Sequence, residues 1–333
     1  MNTNPTIFIV SSERSGSNLL RVLLGNHSKL EAPIATHLLD YFRPIINKYH
    51  PISNNFNALL DDMLTMVNHK FSDWKIDSNN LNNILRTNNT KVLSLIIAYD
   101  ILHKAKAEKE NKAYYVIKDN HLHNHIDIIL SHYKNPYFIH LYRDPRDHVT
   151  SWLKKPIYMF TPYQIVRKWK NEQKKCINLI QSGINMFPVK YEDLISNPKQ
   201  IMTNVFNYVN LDWEESILNT NSDKNAKDAK KYIFWENISK PILKDNKENY
   251  LSFLSKEDIC LVETLCQEEM KYLGYDFQSK LNYSFHKSKL FPLKEKYATW
   301  KLKRNSISFR QKELKLLTDR LSVWNKIKNK KIN

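Results

Sequence analysis

Glycine is scarce in this chain, with four residues among 333. A fold that must bring bare backbone against a ligand has few places to do so. Cysteine is scarcer still: Cys176, Cys260 and Cys266 are the whole set. None stands at metal-ligand spacing, and Cys260 and Cys266, six apart on an expected helix, point to different sides. That excludes a disulfide scaffold and a zinc site, and implies reduced thiols in a cytoplasmic protein. No run of 18 apolar residues occurs, which removes a membrane-spanning helix. Only MNTNPT precedes the first apolar run, which leaves no room for a secretory signal. No internal repeat and no glycine- or serine-rich linker divides the sequence.

Acid is the other shortage. Asp and Glu number 34 against 51 Lys and Arg, a net charge of +17. Residues 286–333 hold fifteen basic and three acidic side chains, so +12 of that charge sits in the tail and +5 in the body. The wealth of Asn, Lys and Ile makes part of this basicity compositional, and no nucleic-acid partner is expected. Hydrophobic content of 42% with 12% aromatics is that of a globular protein large enough for a substantial core.

Residues 6–26, TIFIVSSERSGSNLLRVLLGN, are the most informative stretch. Ile7-Phe8-Ile9-Val10 suits a strand buried on both faces. A polar turn follows, then an apolar block, Leu19 to Leu24, that suits a buried helix. Gly25, Gly183 and Gly274 each follow such a helical block and are expected as stops. Gly16 alone lies where backbone must approach something. A strand, a small-residue loop and a helix N-terminus gather N–H groups at one point, which suits a phosphate-like anion. GxxxxGK[ST] is not satisfied: no lysine follows Gly16, and the cation comes early, as Arg14.

Strands and helices alternate along the rest. Further strands are expected at 114–117, 137–142 and 186–191, with an extended segment near Leu30 and Glu31. Helices are expected over much of 53–110 as a lid-like segment, at 123–133, from Pro145, at 162–181, at 198–209 and from Ser255 to Leu273. The fold class is α/β, a three-layer sandwich with a central parallel sheet and a P-loop-like anion-binding loop. Ligands in such folds collect at the carboxyl ends of strands, where Arg14, Lys118 and Arg143 stand.

Two motifs stand together: SSERSGSNLLRVLL after the first strand, and FIHLYRDPRDHVTSW, in which Arg143 and Ser151 are eight residues apart. With VKYEDL and a late LGYD, they resemble the 5′-phosphosulfate loop and 3′-phosphate motif of sulfotransferases, over roughly residues 6–280. The resemblance implies an enzyme using 3′-phosphoadenosine 5′-phosphosulfate (PAPS), without a metal. It implies that Arg14, Ser15, Gly16, Ser17, Asn18 and Leu19 wrap the phosphosulfate. Arg143 and Ser151 would hold the 3′-phosphate, Tyr191 would approach the nucleotide, and Lys118 would face the sulfuryl group. It also implies a hydroxyl or amine acceptor, which could be on a small molecule, sugar or lipid, or on a peptide.

The base departs from the family's patterns. Ala35, in Pro33-Ile34-Ala35-Thr36-His37, takes the place of a glutamate in one pattern, and Asn120 that of a histidine in another. His37 is the expected base, since a neutral imidazole accepts a proton near pH 7; His121 and Glu31 are the alternatives. Two other classes stay open. A P-loop nucleotide kinase fits the loop, against the missing lysine. A non-catalytic binder of acidic surfaces fits the tail. There, Leu314, Leu317, Leu321 and Trp324 recur at helical spacing among basic residues. Residues 1–285 would then form the domain, and 286–333 a basic amphipathic tail that packs on it or lies on anionic membrane.

Overall fold

The computed structural model describes residues 5–87, 93–154, 160–219, 242–279, 290–305 and 311–332. Five parallel strands form one sheet: β1 (Thr6–Ser11), β2 (Leu30–Glu31), β3 (Tyr114–Ile117), β4 (Tyr137–Tyr142) and β5 (Met186–Lys190). Their order is β2-β3-β1-β4-β5, and Phe8 lies level with Ile117 on one side and Phe138 on the other. β1 is central and buried along its length, as its unbroken apolar run requires.

Helices cover both faces. They are α1 (Ser17–Gly25), α2 (Leu38–Phe42), α3 (Ile52–Asn68), α4 (Ser78–Thr87), α5 (Leu95–Lys109), α6 (Ile126–Leu130), α7 (Pro145–Lys154) and α8 (Pro162–Gln181). Next come α9 (Tyr191–Ser196), α10 (Pro198–Tyr208), α11 (Tyr250–Phe253), α12 (Lys256–Leu265), α13 (Gln267–Tyr272), α14 (Phe291–Asn305) and α15 (Gln311–Asn329). The pleat of β1 sorts the layers. Phe8 and Val10 face a core built with α2, α3 and α5. Ile7 and Ile9 face a second core built with α1, α9 and α10. A third cluster joins Val149 and Trp152 of α7 to Trp169 of α8 and Val262 of α12. The lid-like segment is therefore one layer of the sandwich, since Leu59, Met63 and Leu102 are buried against the sheet.

Several local expectations shift. The helix at 123–133 shortens to a 3-10 turn at Leu122–Asn124 and α6. His121 has φ 58°, and Asp40 holds both His121 and His125, which shapes a turn there. The helix from Ser255 breaks at Cys266, whose buried thiol meets the Val166 carbonyl at 4.0 Å. β5 ends one residue early, and Tyr191 opens α9. Gly25 lies within the last turn of α1 without a left-handed φ. A Cβ there would come within 3.0 Å of Ala32 Cβ, so it marks a close approach of α1 to the chain after β2. All three cysteines are buried and none is in a disulfide, and burial pushes Cys176 up to about 12.

α15 packs on the core, and its packed face is not the expected stripe. Leu316, Arg320 and Ile327 are buried, while Leu314 and Leu321 are exposed. Arg320 donates to Ser72 Oγ at 3.0 Å and to the Thr36 carbonyl, and lies over the Phe71 ring. Trp324 packs on Tyr41 and Phe42 of α2. A buried guanidinium thus replaces a leucine in the seam, which an apolar pattern does not reveal. The boundary near residue 285 lies outside the described residues. Trp324→Ala should destabilise the chain by about 2 kcal/mol, less than for a fully buried Trp. A denaturant midpoint equal to that of wild type would show α15 to be detached from the core.

Candidate active site

The loop between β1 and α1 turns on two left-handed residues, Arg14 at φ 66° and Gly16 at φ 90°. Gly16 is the N-cap of α1 and offers no side-chain cap. The Tyr191 ring lies where a Cβ on Gly16 would stand, so the position needs glycine for both space and backbone angle. The first-turn amides of α1 have no intrahelical acceptor, and the helix dipole adds positive potential there. Ser15 Oγ is buried with no hydrogen-bond partner among the described residues. Leu19 has its side chain in the second core, which leaves only its amide for a ligand. The loop is braced from behind: Gln173 of α8 donates to Ser12 Oγ at 2.9 Å and meets His140 Nε2 at 2.9 Å.

Arg143 leaves the end of β4 and is 4% exposed. Its guanidinium lies 4.4 Å from the centre of the Tyr191 ring. It donates to the Asn246 carbonyl at 2.9 Å and to the Arg14 carbonyl at 3.5 Å. Its Nε is buried without a hydrogen-bond partner among the described residues. The surface ion pair open to a strand-end arginine does not form closely: Asp147 stands 3.9 Å away. Asp144 is taken by Arg146, which also reaches Glu263 at 2.6 Å. Asp147, expected at the start of a helix, accepts instead from the amides of Glu248 at 2.7 Å and Tyr250 at 3.1 Å. That holds residues 246–250 across Arg143, and Asn246 Nδ2 donates to Tyr191 Oη at 2.8 Å. Ser151 is half-buried one turn beyond Asp147 on the same face of α7. Asn246 was not foreseen; it follows a long polar stretch with no local pattern.

At the end of β3, Lys118, Asp119 and Asn120 point three ways. Asp119 is buried and accepts from the amides of Thr36 at 2.7 Å and His37 at 2.8 Å, and from Tyr99 Oη at 2.8 Å. It thereby pins the chain after β2 beside the site. Lys118 is 8% exposed and donates to Asn120 Oδ1 at 3.2 Å. Burial lowers it to about 8, against the attraction of Glu13 and Asp119. Asn120 Nδ2 in turn donates to Glu13.

The three base candidates fare differently from expectation. His37 is beside the site, but the Asn120 amide donates to its Nδ1 at 3.2 Å. The imidazole proton is then on Nε2, and the free lone pair is already in use. Burial also lowers His37 to about 4, a weak base. His121 gives one nitrogen to Asp40 at 2.9 Å, and the other meets the Lys168 ammonium at 3.1 Å. Glu31 pairs with Tyr115 in the sheet register, three residues or about 10 Å short of Lys118, and stands 4.0 Å from Lys106. The structure thus brings Arg14, Gly16, Lys118, Arg143, Tyr191 and His37 to one edge, and leaves Glu31 away from it.

The buried Lys118 predicts a trade of stability for charge. Its folded value, about 8, is below the 10.5 of an exposed lysine. Between those two values the unfolded chain binds the extra proton, so this group's contribution to stability rises with pH across that window. Below it the buried cation costs on the order of 3 kcal/mol. Lys118→Met should raise Tm at pH 7 by a few degrees, and the gain should fade toward pH 10. A lower Tm at pH 7 would show the ammonium to be well solvated.

Among the described residues no helix is long and apolar enough to cross a membrane, and no His, Cys, Asp and Glu cluster could hold a metal ion. A comparison with curated proteins finds no match. Among solved structures, the sulfotransferase domain from the Synechococcus PCC 7002 olefin synthase is similar, with TM-score 0.59 and 22% identity. That match covers 83% of this chain and 96% of the other. The sulfotransferase domain from the curacin biosynthetic pathway matches with TM-score 0.51 and 18% identity, over 82% and 99%. Both are likenesses of fold. The model of the sulfotransferase family matches residues 5–215, and it covers the loop, Lys118, Arg143 and Tyr191. The chain therefore belongs to the sulfotransferase family, an enzyme that transfers a sulfuryl group.

Proposed function

We propose that the donor is PAPS and that the acceptor is a hydroxyl or amine on a small molecule, a sugar or a lipid. One observation supports the choice of donor: two features suited to anions share one edge of the sheet. The first is the uncapped α1 N-terminus with Ser15 Oγ buried beside it. The second is Arg143, buried with its Nε unsatisfied among the described residues. A nucleotide charged at both its 5′ and 3′ ends fits two such sites.

In this reading Arg14 and the amides of residues 15–19 hold the phosphosulfate. Arg143 and Ser151 hold the 3′-phosphate, and Tyr191 flanks the nucleotide. The donor brings an activated sulfuryl group on a phosphate leaving group. The chain's part is electrostatic. Arg14, Lys118 and the α1 dipole present fixed positive charge where negative charge develops, as enzymes of phosphoryl transfer do. A kinase would want a lysine after Gly16, and Ser17 stands there. Arg143→Ala should weaken binding of adenosine 3′,5′-bisphosphate by roughly tenfold or more, since a charge-assisted contact is lost. Calorimetry would decide. Tighter binding of ATP with magnesium than of the bisphosphate would favour the kinase.

Contact with anionic membrane falls on α14 in this proposal. Leu293, Tyr297 and Trp300 are exposed at helical spacing, and Tyr297 stacks on Trp300. Phe291 on the opposite side is buried against Tyr163. Lys294 and Lys296 flank the exposed face, and Lys301, Lys303 and Arg304 follow in sequence. Aromatic rings among cations suit a negatively charged interface, with each cation contributing about 1 kcal/mol. The intact chain should sediment with phosphatidylserine-containing vesicles and not with phosphatidylcholine alone. A Tyr297→Ser, Trp300→Ser variant that still sediments would remove α14 from the contact.

A further inference from the structure

One carboxylate at the carboxyl edge of the sheet keeps acceptor capacity beside Lys118, and it belongs to the anion loop. Glu13 precedes Arg14, and its side chain is 22% exposed. Its Oε1 accepts from Asn120 Nδ2, and its Oε2 stands 3.5 Å from Lys168 Nζ. A carboxylate can accept up to about four hydrogen bonds, and among the described residues Asn120 and Lys168 engage two directions. The same Asn120 amide accepts from Lys118 at 3.2 Å, so a single side chain ties Lys118 to Glu13. By contrast, His37 has its lone pair on the backbone N–H of Asn120, His121 has its own on Lys168, and Glu31 lies deeper in the sheet.

We propose that Glu13 is the general base that takes the acceptor's proton. The proposal deepens the function given above and rests on it. As the acceptor oxygen attacks sulfur, its O–H bond breaks and the proton passes to Glu13, which becomes a carboxylic acid. The electron pair on that oxygen forms the new S–O bond. The S–O bond to the leaving phosphate breaks, and its pair stays on the phosphate oxygen. One negative charge thus leaves Glu13 as one appears on the phosphate. Lys118 is held toward Glu13 through Asn120. Once Glu13 is neutral, the attraction of Lys118 to it falls, and that positive charge serves the leaving group. A carboxylate beside an anion loop is unfavourable by itself, and Lys118 and Lys168 on either side offset it.

Glu13→Gln tests this with two readouts. The first is turnover, read as adenosine 3′,5′-bisphosphate released from PAPS, with water as acceptor. The second is calorimetric affinity for adenosine 3′,5′-bisphosphate, which needs no chemistry. Glu13→Gln should lower turnover by about 10²-fold or more, while affinity stays equal or tightens because a negative charge has gone. Glu13→Asp should recover part of the turnover. His37→Gln should lose less than tenfold. Turnover of Glu13→Gln close to wild type would overturn the proposal. Affinity lost together with turnover would also overturn it, by reducing Glu13 to a brace for Asn120. Failure of the wild-type chain to bind the bisphosphate at all would instead count against PAPS as donor.

Discussion

A buried guanidinium without a close carboxylate is a costly thing to place at a strand end. The structure around Arg143 is arranged to make it bearable. One face of its guanidinium rests on Tyr191, two backbone carbonyls accept from it, and Asp147 stays 3.9 Å off. Tyr191 can lie there because Gly16 has no Cβ, and Asn246 can reach Tyr191 because Asp147 holds residues 246–250 in place. The sheet supplies the geometry, since β1, β4 and β5 are adjacent and parallel. Loop, arginine and tyrosine therefore meet at a single carboxyl edge. A full ion pair with Asp147 would have stabilised the empty fold and left less charge for an anion.

The same balance recurs on the other side of β1. Lys118 is buried and pushed down, yet its partners are an amide and a half-exposed carboxylate. Asp119, its neighbour in sequence, is spent on structure and clamps the chain after β2. α15 closes that clamp from outside through Arg320 on the Thr36 carbonyl. The C-terminal helix therefore supports the segment that lines the site, some 280 residues away in sequence.

The sheet was legible because β1, β3 and β4 are short runs rich in β-branched and aromatic residues, and Lys118 and Arg143 directly follow β3 and β4. Loop and Arg143 were legible because Gly16, the cation before it and the Arg–Asp–Pro phrase are local. What was not legible depends on contacts distant in sequence. Nothing near His37 says that the Asn120 amide occupies Nδ1, so a histidine at the right place looked like a base. The outward face of α15 carries two leucines while its seam carries an arginine, which reverses the usual sense of an apolar stripe. Glu13 was in plain view within the motif, but its value as a base comes from Asn120, Lys118 and Lys168, which lie on other elements.

The most direct measurement incubates the purified chain with PAPS and a small-molecule extract, and follows products by mass spectrometry. Compounds gaining the mass of one sulfuryl group should appear with the wild-type chain, in step with release of adenosine 3′,5′-bisphosphate, and should be largely lost with Arg143→Ala. Products that form equally well with Arg143→Ala, or phosphorylated products from ATP in their place, would contradict the account.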